Sequence, residues 1–515
     1  MSLLSKHIKK YELWLSKFGL EKKKHQMKGM EWCLNHELCE EPEYGVRGGI
    51  VADEMGLGKT ILMLGCIISN FKKNTLIVLP PALLAQWVKI IEKMLRHKPM
   101  IFHGGKAKKV TIEEILKAPV VVTTYGMISE RKDYESKLWK IKWSRVIYDE
   151  AHHLRNRKSQ GYLGAQRINS KVKWLVTGTP IQNRTRDFVS LCSLVGLGDA
   201  ISNCIKGKRV NKEALKKLLK HHYLRRTKKG VGIKLPKIEE KVIQVEWETE
   251  EEKKLAEQIH DYCSFSMVRL DNVQQIIDHL TKNRCVAIMR AKQACILPTL
   301  LEDAVFRMKR KSEIPNHLSL EEITSKSKIN KVVDVLVERK KNKRKKLVFS
   351  NFRAEIDELA EKLTDNNITV VKVDGRTKKE NKKFATMKPP TKTDWNLVCK
   401  KWNRNNYIYD FVKEFLIPDV MILQIQTGCE GLNLQHFQEV YFTSPHWNPS
   451  VENQAIARCH RIGQTKPVSV FRFIMEGFGV SNEFDWEDEP PATRSVDQYC
   501  MLIQKKKREL MQILN

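Results

Sequence analysis

Nine consecutive residues combine what phosphate binding requires. The run Ala52-Asp53-Glu54-Met55-Gly56-Leu57-Gly58-Lys59-Thr60 follows a β-branched stretch (48–52, GGIVA) and opens a helical one from Ile61. In that setting backbone N–H groups and the positive helix end cradle phosphates. Gly56 and Gly58 let the main chain approach closely, Lys59 reaches the β/γ-phosphates, and the Thr60 hydroxyl ligates magnesium. The generic pattern G-x-x-x-x-G-K-T fails at its first position, which is Asp53. A chance G-x-G-K-T in a turn is the competing reading, and the strand before and helix after disfavour it.

The second element lies downstream, where Asp149-Glu150-Ala151-His152 ends another strand-like run. An Asp at a strand end opposite a phosphate loop holds magnesium. The adjacent Glu150 is placed to orient and polarise an attacking water as general base. Four letters alone are a weak signal, and paired acids at a strand end are often merely solvated. After a phosphate loop they become strong.

Positioning these groups takes a parallel sheet. Short buried runs at 48–52, 75–79, 120–124, 146–149 and 173–177 alternate with segments long enough for crossover helices. That predicts an α/β fold, a doubly wound parallel sheet with its ligand site at the carboxyl strand ends. From about 185 to 325 the sequence is charged and helix-favouring, and 206–229 hold eleven Lys/Arg against the single acid Glu213. Strand-like runs return at 346–350, 369–373, 420–424, 440–444 and 468–473, predicting a second lobe. Val496, Tyr499, Cys500 and Ile503 mark one face of a final helix.

The composition narrows the partner. The 515 residues carry 92 Lys+Arg against 60 Asp+Glu, a net charge of +32, with 42% hydrophobic and 30% charged residues. A folded chain this basic favours a polyanion, and no apolar run is long enough for a membrane span. No signal peptide is read at the start, so the expectation is a nucleic-acid partner, no membrane, and an intracellular reducing compartment. None of the twelve cysteines forms a C-x-x-C pair, so no zinc module is expected.

Further strings complete a family pattern. HQMKGMEW (25–32), VADEMGLGKT (51–60), LPPALLAQW (79–87), VVVTTYGMI (120–128), DEAHHLRN (149–156), LVTGTPIQN (175–183), HYLRRTKKGV (222–231), VDGRT (373–377), QTGCEGLNLQ (426–435) and HWNPSVENQAIARCHRIGQ (446–464) occur in this order. The chain resembles Swi/Snf-type ATPases of helicase superfamily 2 over about residues 20–513. The resemblance implies two RecA-like P-loop lobes with helical insertions between them, and the Asp53 departure belongs to the family's own loop. The implied division is an extension over 1–20, a first lobe over 21–185, helical protrusions and linker over 186–324, a second lobe over 325–475, and an acidic loop with a brace helix over 476–515.

The resemblance also assigns roles. Gln26 reads the adenine edge, and Gln454 joins Asp53–Thr60 in binding ATP. Thr177, Gly178, Thr179, Pro180 and Gly431 couple hydrolysis to DNA contact. Arg458 and Arg461, three apart on one helix face, act as arginine fingers, a device worth on the order of 10³–10⁵ in rate. DNA contacts are Gln86 and Thr124 in the first lobe, with Thr427 and Asn433 in the second; a buried cap or loop anchor is the equal alternative for each. Residues 378–419 are longer than the family pattern, and Trp395–Phe415 and 482–489 read as insertions. The run 339–346 (RKKNKRKK) reads either as a nuclear-localisation patch or as a solvated boundary.

The implied function is an ATP- and magnesium-dependent, monomeric double-stranded-DNA translocase acting on nucleosomes or transcription proteins. A strand-separating helicase and a catalytically silent DNA-binding scaffold are the rivals. With no chromodomain, bromodomain or RING module recognised, the compact motor resembles versions carried by large DNA viruses, leaving both the nucleus and a viral factory or virion open.

Overall fold

The structure, a computed structural model, describes residues 2–131, 135–180, 185–206, 209–262, 282–310, 323–377, 418–428, 434–479 and 494–512. The chain divides into two units, Met1–Lys234 and Leu235–Leu514.

Runs of Val, Ile and Leu without a polar face must be covered on both sides. In the first unit β1 (Gly48–Val51), β2 (Thr75–Leu79), β4 (Val120–Thr124) and β5 (Arg145–Asp149) are buried at every residue, and β3 (Met100–Phe102) and β6 (Lys173–Val176) extend the same sheet. After a small antiparallel pair, β7 (Ile205–Lys206) with β8 (Arg209–Val210), the chain returns as β9 (Tyr223–Leu224). The order is β3-β4-β2-β5-β6-β1-β9, parallel throughout.

Helices α1 (Leu3–Lys17), α2 (Lys24–Leu38), α3 (Lys59–Ser69) and α4 (Leu84–Leu95) pack one core with this sheet. The first twenty residues, expected as an extension, belong to that core: Tyr11, Trp14 and Leu15 are buried, and the Trp14 indole donates to the Met94 carbonyl at 2.8 Å. The approach is close enough that a Cβ on Gly65 would lie 2.4 Å from Met30 Cε and 2.5 Å from the Tyr11 ring. Glu37, wholly buried on α2, accepts from both Arg145 Nε (2.7 Å) and Nη2, Trp174 Nε1 (2.9 Å) and Asn70 Nδ2 (2.7 Å). This network ties α2 to the start of β5, the strand that ends in Asp149.

In the second unit β10 (Ile238–Val245), β11 (Lys346–Ser350), β12 (Val370–Val373), β13 (Val420–Gln424), β14 (Glu439–Phe442) and β15 (Val468–Met475) form a sheet in the order β10-β15-β14-β11-β13-β12, again all parallel. Alternate residues of β11 feed opposite faces: Val348 joins Leu336, Leu359 and Ile503, whereas Leu347 and Phe349 join Leu434, Phe442 and Ile456. Val496, Tyr499, Cys500 and Ile503 of the final helix, Val496–Gln512, are buried as one face.

Two particulars differ from the sequence reading. The stretch 186–324 is mainly helical (Thr185–Val195, Lys212–His222, Glu250–Tyr262, Lys282–Ile296), yet it also gives one edge strand to each sheet, β9 and β10. The basic run 339–346 is partly structural. Arg339 and Asn342 both bond the buried Glu439 carboxylate, and Lys346 is 2% exposed, its ammonium spent on Asn342 Oδ1 (3.2 Å) and the Arg344 carbonyl (2.9 Å). Residues 395–415 and 482–489 lie outside the described residues. Among the described residues no helix is long and apolar enough to cross a membrane.

Candidate functional site

The loop between β1 and α3 has the shape its glycines demand. Gly56 and Gly58 hold φ of +89° and +86°, the left-handed region that costs a side chain strain. A Cβ on Gly58 would also lie 2.3 Å from the Gln26 side-chain nitrogen, so the α2 glutamine sits directly on the loop. Gln26 Nε2 and His25 Nε2 both approach the Leu57 carbonyl, at 3.4 and 3.3 Å. Met55 and Glu54 are partly exposed, and Thr60 follows Lys59 in the first turn of α3. The Lys59 ammonium folds onto the loop, 2.7 Å from the Asp53 carbonyl and 3.5 Å from that of Glu54.

Asp53 is 1% exposed and its carboxylate is gripped by Arg226, with Nε to Oδ1 at 2.9 Å and a second contact from Nη2 to Oδ2. Arg226 also donates to the His25 carbonyl, and a Cβ on Gly29 would meet its guanidinium at 2.7 Å. Glu54 is held likewise: its N–H donates to the Arg226 carbonyl at 2.9 Å, and its carboxylate accepts from Lys228 N at 2.7 Å and pairs with Lys228 Nζ at 3.1 Å. The segment that leaves β9 is thus laid along the phosphate loop.

Asp149, 8% exposed, closes β5. Burial, reinforced by the neighbouring Glu150 charge, pushes its pKa up to about 7. Oδ2 accepts from the Trp87 indole at 2.7 Å and Oδ1 from the Glu150 N–H at 3.0 Å, so each oxygen keeps one lone pair. Burial and mutual repulsion thus disfavour full negative charge on these two adjacent acids. Glu150 has φ of +50°. Its Oε2 lies 3.2 Å from His152 Nδ1, which is also 3.2 Å from Thr177 Oγ1. Thr177 Oγ1 accepts from Thr179 N at 3.1 Å, Pro180 is buried, and a Cβ on Gly178 would lie 3.4 Å from Lys59 Nζ. The phosphate loop, the acids and the TGTP turn therefore meet within one unit. Among the described residues no group of three or more His, Cys, Asp or Glu is placed to hold a metal ion.

The candidate DNA residues divide. Gln86 is exposed on α4, whereas Thr124 is 1% exposed with its hydroxyl 3.0 Å from His103 Nδ1, an anchor of the strand end. Thr427 falls in the short helix Ile425–Gly428, its side chain outside the described residues, as are Gly431 and Asn433 altogether. In the second unit the helix Pro449–Cys459 carries Gln454 and Arg458, with Arg461 just beyond. Gln454 Nε2 and Arg458 Nε are buried without a hydrogen-bond partner among the described residues. Burial and then the Arg458 charge pull the Arg461 pKa down, and neither arginine has an ion-paired carboxylate among those residues. The Trp447 ring is covered by the Lys507 ammonium, 4.1 Å from its centre.

Comparison with known sequences decides the family. The SNF2-related domain matches residues 25–300, more than half of the chain, and the helicase conserved C-terminal domain matches residues 327–463. The chain belongs to the SNF2-related family. It carries the SNF2-related domain and the helicase conserved C-terminal domain in series. An uncharacterized ATP-dependent helicase of Mycoplasma genitalium is 27% identical over 506 residues, covering 95% of this chain and 42% of that protein. Chromodomain-helicase-DNA-binding protein 6 of Homo sapiens is 28% identical over 499 residues, 90% of this chain and 17% of the relative. The chain therefore spans less than half the length of these relatives. A solved SWI2/SNF2 ATPase core of Sulfolobus solfataricus in complex with dsDNA shares 21% identity, covering 89% of this chain and 88% of that one, with a TM-score of 0.39.

Three contacts of this SNF2-related site were not legible in sequence. Arg226 lies within a string that the family pattern marks, but nothing there names Asp53 as its partner, 173 positions away. Trp87 and Tyr125 each follow a candidate DNA residue, and both reach Asp149, Tyr125 through its hydroxyl to the main-chain carbonyl at 2.6 Å.

Proposed function

We propose that this chain is a DNA-dependent ATPase that translocates on double-stranded DNA and remodels protein–DNA complexes in the nucleus. The observation that carries the reading is the convergence of Lys59, Asp149, Glu150 and the TGTP turn at the carboxyl ends of β1, β5 and β6. In this reading the glycine-shaped loop cradles the β- and γ-phosphates, and Lys59 exchanges its loop carbonyls for phosphate oxygens. Thr60 and Asp149 would hold magnesium, which supplies charge neutralisation at the phosphates. Glu150 orients the attacking water and takes its proton. Gln26, seated on the loop, would read the adenine edge, and the second unit carries Gln454, Arg458 and Arg461, the ATP-binding and arginine-finger residues that the family resemblance implies. Among the described residues those guanidiniums have no carboxylate partner, which supports an anionic ligand.

The +32 charge supports a polyanionic track, read through its backbone and not its bases. The names of the chromodomain-helicase and chromatin-remodeling relatives support DNA and chromatin as that track. ATPase assays on blunt-ended duplex, run beside a strand-displacement assay, test the reading. Strong stimulation without displacement is expected; robust unwinding would assign a strand-separating helicase instead.

A further inference from the structure

Two side chains from separate parts of the first unit converge on one residue of the site. The Trp87 indole N–H donates to Asp149 Oδ2 at 2.7 Å, across 62 positions of sequence, and the Tyr125 hydroxyl donates to the Asp149 carbonyl at 2.6 Å, across 24. Each directly follows a residue that the family resemblance marks as a DNA contact: Gln86, exposed on α4, and Thr124, itself buried at the end of β4 with its hydroxyl on His103. We propose that Trp87 and Tyr125 are positioning residues through which a DNA strand engaged at the start of α4 and the end of β4 sets the geometry of Asp149 and Glu150, and so the rate of hydrolysis. The inference rests on the reading of the chain as a DNA-dependent ATPase.

Burial makes the first contact a transmitter. Trp87 is 2% exposed and packed in the unit's main core, while its neighbour Gln86 is exposed on the same helix. A close-packed indole cannot take up a shift of α4 by reorienting in solvent, so the shift is passed to its hydrogen-bond partner. That partner is a carboxylate in a buried site, where a charge-assisted hydrogen bond is strong and its direction matters. Whatever a strand does to Gln86 thus reaches the acid assigned to magnesium.

The second contact acts on the backbone. The Asp149 carbonyl belongs to the peptide that joins Asp149 to Glu150, and Glu150 sits at φ of +50°, a conformation disfavoured for a side chain. Holding that carbonyl holds the peptide plane, and with it the direction in which the Glu150 carboxylate points. The ring of Tyr125 is 5.4 Å from that of His153, which stacks at 4.7 Å on His152, and His152 contacts both Glu150 and Thr177. Tyr125, Asp149, Glu150, His152 and His153 therefore close a ring of contacts. A displacement at the end of β4 moves the general base and the TGTP turn together.

The test uses the full chain, blunt-ended duplex DNA and steady-state ATP hydrolysis. Trp87→Phe removes the indole N–H, and Tyr125→Phe removes a single oxygen and serves as the second variant should the first fail to fold. The inference expects the ratio of DNA-stimulated to basal kcat to fall about tenfold or more in each. The duplex Kd should stay within about twofold of wild type, and Gln86→Ala combined with Trp87→Phe should lower the ratio no further than Trp87→Phe alone. An unchanged ratio, equal loss of basal and stimulated rates, or additive loss in the double variant would overturn the relay while leaving the ATPase reading intact. Absence of any DNA stimulation in the wild type would instead remove that reading, and the relay with it.

Discussion

The guanidinium of Arg226 holds the carboxylate of Asp53, the residue that stands where a generic phosphate loop has glycine. The departure from the generic pattern thus has a structural purpose. The loop is fastened by an ion pair and a backbone bridge to the segment after β9, and that segment also engages α2 through the His25 carbonyl. A glycine in the first position would leave the backbone bridge but remove the ion pair.

Arg226→Ala strands a 1% exposed carboxylate without its partner. Removing one member of such a pair costs about 3–5 kcal/mol. Part of that cost falls on nucleotide binding, because every ~1.4 kcal/mol needed to reorder the loop weakens ATP about tenfold. Thermal melting and titration with a fluorescent ATP analogue should show a less stable protein with weakened binding. Asp53→Asn, which keeps the shape and part of the hydrogen bonding, should be the milder change. Equal ATP affinity in wild type and Arg226→Ala would remove the ion pair from the loop's support.

Glu37 and Arg145 have no solvent contact, and Glu37 is further satisfied by Trp174 and Asn70. Glu37→Ala should destabilise the first unit by about 3–5 kcal/mol, since Arg145 is left buried and uncompensated. Denaturant unfolding followed by tryptophan fluorescence checks this. A loss below about 1 kcal/mol would mean that the network relaxes into solvent.

The second unit should be sensitive to acid. Burial lowers the His260 pKa from 6.5 to about 4, although Ala256 O and the Asp497 charge act the other way and Lys328 with it. Its Nδ1 donates to the Ala256 carbonyl at 2.6 Å and its Nε2 accepts from the Val496 N–H at 2.9 Å, so the neutral ring is fully used. Below pH 6.5 the unfolded chain takes up a proton that the folded unit refuses until about pH 4. Stability is therefore present above about pH 6.5 and lost as pH falls towards 4, by about 3 kcal/mol from this group. His446 and His436, lowered by burial to about 3 and about 4, add in the same direction. Unfolding curves from pH 7.5 to 5 should steepen in the acid range, and His260→Gln should remove about one proton from that slope.

What could be read in advance was what lies contiguous in the chain. The phosphate loop, the DEAH string and the buried β-branched runs each carry their signal within ten residues, because a parallel strand must be apolar on both faces and a phosphate loop must have glycines at fixed offsets. The contacts that join these pieces were not readable. Arg226 meets Asp53 because β9 lies beside β1, and Trp87 meets Asp149 because α4 follows β2 next to β5; both depend on strand order. The edge strands were missed for a related reason. Tyr223–Leu224 is too short to show a period, and Ile238–Val245 carries Glu239, Glu240 and Lys241 on an exposed sheet edge, where charge protects against mispairing. Thr124, read from its motif as a DNA contact, has its hydroxyl turned to His103.

In the proposed function, duplex DNA controls hydrolysis at the Lys59–Glu150 site. The most direct test is steady-state ATP hydrolysis by wild type and Glu150→Gln, each with and without blunt-ended duplex. Duplex stimulation of the wild type is expected, with a loss of about 10²-fold or more in the variant, the range for removing a general base, and with ATP still bound. A Glu150→Gln protein that hydrolyses ATP at the wild-type rate, or a wild type indifferent to duplex, would contradict that function.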